Sequence, residues 1–284
     1  MDLNVVEWLG TRVSMSLNGA TAVVQFFNPP HGYMDEAMES ELALVLDRLE
    51  HWPQGRVVIL TGRDPGVFIR HYDVAILHKR AQFFQAKGKK FSMDRPVPNG
   101  GIHDCLERID KSPLIFIAAI NGVAMGGGFE LALGCDIRVV QEGDYQLGLP
   151  ELNLGLLPGA GGTQALAELL GTSRSLFYLL TAKVFNPQEV LALGIASACV
   201  KDVLHSAHGL AQGIEAAPAR ACANIKHLVR HAGQWNKADG LAAERTLFCD
   251  CMVDPEALPL IEAVALGHRT IADALTPLAD QAPA

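Results

Sequence analysis

Two glutamates, Glu130 and Glu151, flank a glycine-rich run between Ile117 and Gly162, reading IAAINGVAMGGGFELALGCDIRVVQEGDYQLGLPELNLGLLPGAGG. Carboxyl groups brought together in a cleft push their proton affinities apart, so that one stays protonated while the other acts as a base. The glycines supply the second half of a possible chemistry. An apolar strand, Pro113 to Ile120, is expected to run into a loop opening at Gly126-Gly127-Gly128, with a helix starting near Phe129. The first amides of such a helix have no partner within it, which makes the helix start a site for an anion or an oxyanion. Simpler roles exist for each residue. Glu130 would also suit the first turn of any helix, Glu151 after Pro150 would suit a solvated turn, and the glycines would suit a plain bend.

Other chemistries find little support. The glycine runs satisfy neither GxGxxG nor GxxxxGK[ST], and there is no GxSxG or HExxH. Six cysteines, Cys105, Cys135, Cys199, Cys222, Cys249 and Cys251, fit neither a disulfide framework nor a zinc site, so they are expected to be reduced thiols, and no metal is expected. The formal charge of -8 argues against a nucleic-acid partner, although Lys79, Arg80, Lys87, Lys89 and Lys90 could meet a phosphorylated ligand. Ser112 to Phe129 is uncharged, yet Pro113, Asn121 and the glycines divide it into a strand and a turn rather than a membrane span. The amino terminus, MDLNVVEWLGTRVS, shows no secretory leader, and a cytoplasmic location is the expectation.

The elements that must position these groups can be read in outline. Asn18-Gly19 sits between two strand-like runs and signals a hairpin within residues 11–27. A helix is expected over Met34 to Leu49 and a buried strand over Arg56 to Thr61. Phe68 to Leu77 is left without a type, and His78 to Gly101 reads as a loop and helix. From Asp104 the sequence predicts a helix to Lys111, the strand to Ile120, the helix from Gly128, strands at Asp136 to Gln141 and Tyr145 to Leu147, and a helix at Ala165 to Leu170. This strand-strand-helix rhythm suggests stacked turns in an α/β fold. Beyond residue 203 only helices are expected: Val203 to Glu215, Pro218 to Ala232, Gly240 to Val253 and Glu256 to Ala274. A division into 1–202 and a helical region 203–284 follows.

Three segments, NGVAMGGGFELALGCD, LPELNLGLLPGAGGTQ and LLTAKVFNPQEVLALGIASACV, resemble the enoyl-CoA hydratase/isomerase (crotonase) family in order and spacing. The resemblance covers Ala22 to Val200. It implies a crotonase-like spiral of stacked β-β-α turns, a C-terminal helical region that makes a homotrimer or hexamer and covers the pocket, and acyl-CoA thioesters as substrates. It implies no cofactor other than the coenzyme A of the substrate. The middle glycine of GGGFE, Gly127, matches one amide donor of the oxyanion hole. The other donor lies before the aspartate of a loop that aligns with FIRHYD, pointing to the Tyr72 amide.

Glu130 and Glu151 match the two carboxylates that activate water in family hydratases, with Glu130 as base and Glu151 as acid. The same loops place Phe68, Arg70, Asp73, Gly126 and Pro150 at the substrate, while Lys226 and Phe248 match a tail lysine and phenylalanine that contact coenzyme A. Phe83 to Met93 and the tail helices are expected to form the acyl pocket wall. Where the family has a small residue and glycine, this chain has Arg70 and His71, and His71 is a second candidate for acid-base work. Three functions are open: hydration of an enoyl-CoA, hydrolysis of a carbon-carbon bond in a β-diketone using His71, and a noncatalytic binding role.

Overall fold

The computed structural model describes residues 5–272. The chain opens with β1 (Val5–Leu9), then a hairpin of β2 (Val13–Asn18) and β3 (Thr21–Phe26) that turns at Gly19, whose φ of 61° is left-handed. Helix α1 (Glu36–Glu50) follows, capped by the Asp35 side chain accepting from Met38 N. It buries Met38, Leu42, Val45, Leu46 and Leu49 along one stripe.

Three turns of chain then repeat one plan. In the first, β4 (Val57–Gly62) joins a large sheet, β5 (Gly66–Ile69) joins a small one, and α2 (Val74–Ala86) and α3 (Ile102–Lys111) close the turn. In the second, β6 (Ile115–Ile120) joins the large sheet, β7 (Gly122–Met125) the small one, and α4 (Gly127–Gly134) closes it. In the third these places go to β8 (Ile137–Gln141), β9 (Leu147–Gly148), a 3-10 turn (Glu151–Leu154), α5 (Gly162–Leu170) and α6 (Thr172–Leu180). A short coda adds β10 (Val184–Phe185), α7 (Pro187–Ala192) and β11 (Ala198–Val200). The large sheet runs β1-β2-β3-β4-β6-β8-β11, parallel from β3 onward, and the small one β10-β9-β7-β5. The β-β-α spiral expected from the sequence is therefore the fold.

The unbroken apolar runs of β4 and β6 exist because both faces of the large sheet are covered. Val58, Leu60, Phe116 and Ala118 face the main core with α1 and α3. Val57, Ile59, Ile117 and Ala119 face Val203, Ala207 and Ala211 of α8 (Val203–Glu215). The helix that begins at the expected division near residue 203 thus packs on the spiral. Then come α9 (Ala219–His231), α10 (Lys237–Met252) and α11 (Leu258–Ala265). The last helix, expected to reach Ala274, ends at Ala265, and residues beyond 272 lie outside those described.

Several local expectations are corrected. The loop expected between Ile120 and Gly126 is instead β7, which pairs in parallel with β9 and, across one irregularity at Val67 to Ile69, with β5. Strand β9 begins at Leu147 rather than Tyr145, whose hydroxyl reaches Gln141 O at 2.5 Å. Phe68 to Leu77, left untyped, holds the end of β5 and the start of α2, which Asp73 caps by accepting from Ala75 N. All six cysteines are free thiols. No helix among the described residues is long and apolar enough to cross a membrane.

Candidate active site

Small-sheet geometry sets the two backbone donors side by side. Strand β7 leads into Gly126, whose φ of 50° only glycine adopts readily and whose N–H donates to Gly148 O at 2.9 Å. A Cβ on Gly128 would run into Ile69 O, so the first turn of α4 lies directly against the end of β5. Gly127 is the first residue of that helix, and its N–H makes no hydrogen bond to the described residues.

Across from it, the chain after β5 is clamped to residues 32–34. Arg70 N donates to Gly32 O at 2.8 Å, Met34 N to His71 O at 2.9 Å and Asp73 N to Met34 O at 2.8 Å. In that parallel bridge Met34 bonds the residues on either side of Tyr72, which turns the Tyr72 N–H the opposite way, and it too bonds none of the described residues. A Cβ on Gly127 would stand 3.8 Å from Tyr72 Cβ, so the two uncommitted amides belong to neighbouring residues.

Both carboxylates reach this corner. Glu130, within the first turns of α4 and 4% exposed, accepts from Ala160 N at 2.7 Å and Gly162 N at 2.9 Å on one oxygen, Oε1. Burial raises its pKa above the usual carboxylate value, and the two amides and the His103 ring offset only part of that rise. Glu151 opens the 3-10 turn after Pro150. Its Oε1 lies 2.9 Å from where a Cβ of Gly126 would be, and its Oε2 is buried with no hydrogen-bond partner. Burial raises the Glu151 pKa to about 7, and the Glu130 charge adds to the rise.

A sequence model of the enoyl-CoA hydratase/isomerase family matches residues 16–256 of the chain. This chain belongs to that family. A relative in Bacillus subtilis, "Probable enoyl-CoA hydratase", is 30% identical over 261 residues, covering 88% of this chain and 94% of the relative. The "Fatty acid oxidation complex subunit alpha" of Aliivibrio fischeri is 37% identical over 177 residues, and the match spans 61% of this chain but only 24% of that larger subunit. Among solved structures, an enoyl-CoA hydratase from Bacillus anthracis superimposes with a TM-score of 0.79 at 26% identity, covering 90% of this chain and 96% of the other.

Within this family member, His71 takes a distinctive posture. Its Nδ1 lies 2.8 Å from Tyr72 O, a carbonyl that only accepts, so Nδ1 carries a proton and Nε2 holds the lone pair in the neutral ring. The ring stacks on Tyr33 at 4.5 Å between centroids, and Tyr33 stacks on His31 at 5.1 Å. No strain attends this histidine where relatives were expected to have glycine. Among the described non-glycine residues only Ala182 has a positive φ.

Other expected contacts fall elsewhere. Phe68 is fully buried against Phe26, a core side chain rather than a substrate contact. Asp73 is the cap of α2, and Arg70 donates through Nε to His31 O at 2.9 Å. Lys226, expected at coenzyme A, is 7% exposed, and its ammonium donates to Ile109 O at 2.9 Å and Leu114 O at 2.8 Å and pairs with Asp136 at 3.0 Å. Those three partners use all three of its donors, leaving none for a phosphate. Phe248 is 65% exposed on α10. Arg80 of the basic cluster pairs with Glu36 at 2.8 Å.

One site residue escaped the sequence reading. His103, on the first turn of α3, reaches Gly159 O at 2.6 Å, beside the amides that hold Glu130. Its only advance signal was a histidine two residues after the Gly100-Gly101 pair, at a helix start.

Proposed function

We propose that this family member adds water across the double bond of an α,β-unsaturated acyl-CoA. The Gly127 and Tyr72 amides receive the thioester oxygen and stabilise the charge that gathers there as the β-carbon is attacked. Glu130, its charge supported by two amides, takes a proton from water as the hydroxyl adds to the β-carbon. Glu151, protonated, delivers a proton to the α-carbon, and exchange with solvent restores both groups. The observation carrying this reading is the contrast between the two carboxyls. Glu130 Oε1 holds two N–H donors, whereas Glu151 Oε2 is buried without a partner and its pKa stands at about 7.

The test follows the enoyl-thioester absorbance of crotonyl-CoA with wild type, Glu130→Gln and Glu151→Gln. Each variant is expected to lose about 10²- to 10⁴-fold in kcat. Wild-type protein that neither binds nor hydrates crotonyl-CoA overturns the reading, and glutamine variants as active as wild type would point to a noncatalytic relative.

The free Nε2 of His71 favours a second reading, attack by water on a β-diketone with cleavage of a carbon-carbon bond. It requires turnover of a cyclic diketone that His71→Ala abolishes, without coenzyme A binding. On the leading reading the chain works in the cytoplasm as a homotrimer or hexamer, with no cofactor beyond its substrate's coenzyme A and no nucleic-acid partner. The exposed Leu154, Leu157, Phe177 and Leu180 support association between copies.

A further inference from the structure

His103 stands between the turn at Gly100-Gly101 and the loop that cradles Glu130. Its Nδ1 lies 3.1 Å from Gly100 O and its Nε2 lies 2.6 Å from Gly159 O. Both partners are carbonyl oxygens, which accept and never donate, so a ring that satisfies both must carry protons on both nitrogens. In that state the ring is an imidazolium. Gly159 opens the short run in which the Ala160 and Gly162 amides converge on Glu130 Oε1. A Cβ on Gly162 would sit 3.0 Å from that oxygen and against Leu149 Cδ1, so the loop lies tight on the carboxylate with little room to drift.

The charges around the ring favour the same state. Glu39 of α1 and Glu130 of α4 face it, and Asp104 neighbours it on α3. The carbonyl partners and these carboxylates raise the His103 pKa against the opposing effect of burial. Glu39 also accepts from the Ile102 amide and senses Arg80 and Glu36. Glu130 in turn interacts electrostatically with Glu151.

We propose that His103 is a positioning residue for Glu130, acting as a fixed imidazolium that pins the Gly159 to Gly162 loop and keeps the buried Glu130 carboxylate ionised. The role rests on Glu130 being the reaction's base, but its physical content, a cation controlling the protonation of Glu130, stands apart from which substrate is turned over. His103 touches no reacting atom. It supplies the charge that a carboxylate sunk in an apolar wall would otherwise lack.

The test reads ionisation and turnover separately. In protein labelled with ¹³C at glutamate carboxyls, the Glu130 resonance is assigned by its loss in Glu130→Gln and followed through a pH titration. In His103→Gln, which keeps one donor but no charge, the Glu130 midpoint is expected to rise, and the acidic limb of kcat to move the same way with KM little changed. His103→Lys, which restores the charge, is expected to return both toward wild type. An unmoved Glu130 midpoint in His103→Gln overturns the proposal whatever the substrate. A moved midpoint without enoyl-CoA hydration sinks the functional reading alone and leaves this one supported. Should neither variant fold, the ¹⁵N resonances of His103 in the wild-type protein decide: two protonated nitrogens at neutral pH are expected, and a neutral tautomer overturns the proposal.

Discussion

Replacing Glu151 by Gln should make the protein less active and, above neutrality, more stable. In the unfolded chain this carboxyl ionises near 4.5, and in the folded protein only near about 7. A group whose folded pKa is raised favours the fold below its unfolded value and loses that favour as pH climbs through the folded one. Between 4.5 and about 7 the native state therefore gives up stability that a neutral glutamine would keep. At about 1.4 kcal/mol per pH unit the ceiling is about 3.5 kcal/mol.

Glu151 is only partly buried, one oxygen enclosed and the side chain otherwise near the cleft, so solvent screening reduces this to about 1.5 kcal/mol. In a protein of this size that is about 2–3 °C in Tm. The assay is thermal melting of wild type and Glu151→Gln at about pH 5 and about pH 9, comparing the two differences. At the acidic end both side chains are neutral in the fold, so packing differences between Glu and Gln cancel in the comparison. A variant advantage that fails to grow with pH would refute the claim that Glu151 holds its proton near neutrality.

Lys226→Met leaves Asp136 with Arg230 and the Phe116 amide but strips one buried cation, and should cost about 3 kcal/mol in urea unfolding while leaving coenzyme A affinity unchanged. Gly128→Ala drives a methyl into Ile69 O and should cost about 1–3 kcal/mol, with a larger fall in turnover than in stability because Gly127 moves with its helix. Asn121→Ala removes a side chain that bonds Gly62 N, Gly62 O and Asp64 O, and calorimetry should show about 2–3 kcal/mol lost.

The spiral was legible because each of its turns obeys local rules: β4 and β6 read as apolar runs since both their faces are covered, and Asn18-Gly19 marks its hairpin plainly. The glutamates and the GGG corner stood out through the family resemblance of the segments that carry them, since by residue type alone each also suits a helix's first turn or a plain bend. What escaped was set by tertiary partners. Helix α2 buries none of its side chains, so no apolar period announces it, and only the Asp73 cap gives its start. Lys226 sits on a helix of mixed polarity, and nothing near it in sequence shows Asp136 and two carbonyls waiting beneath. His103 finds its partner carbonyl 56 residues away, across a gap that periodicity does not span.

The hydrogen bond from Met125 N to Arg70 O, at 3.0 Å, ties together the two strands of the small sheet that end in the amide donors. The spacing between Gly127 and Tyr72 is thereby set by the main chain, so that replacements which do not crowd the backbone, as one at Gly128 would, leave it in place. A scaffold of this kind can exchange the side chains around the corner, or set a histidine where glycine is expected, without shifting the two uncommitted amides. Side-chain chemistry and backbone frame can then change independently, one residue at a time.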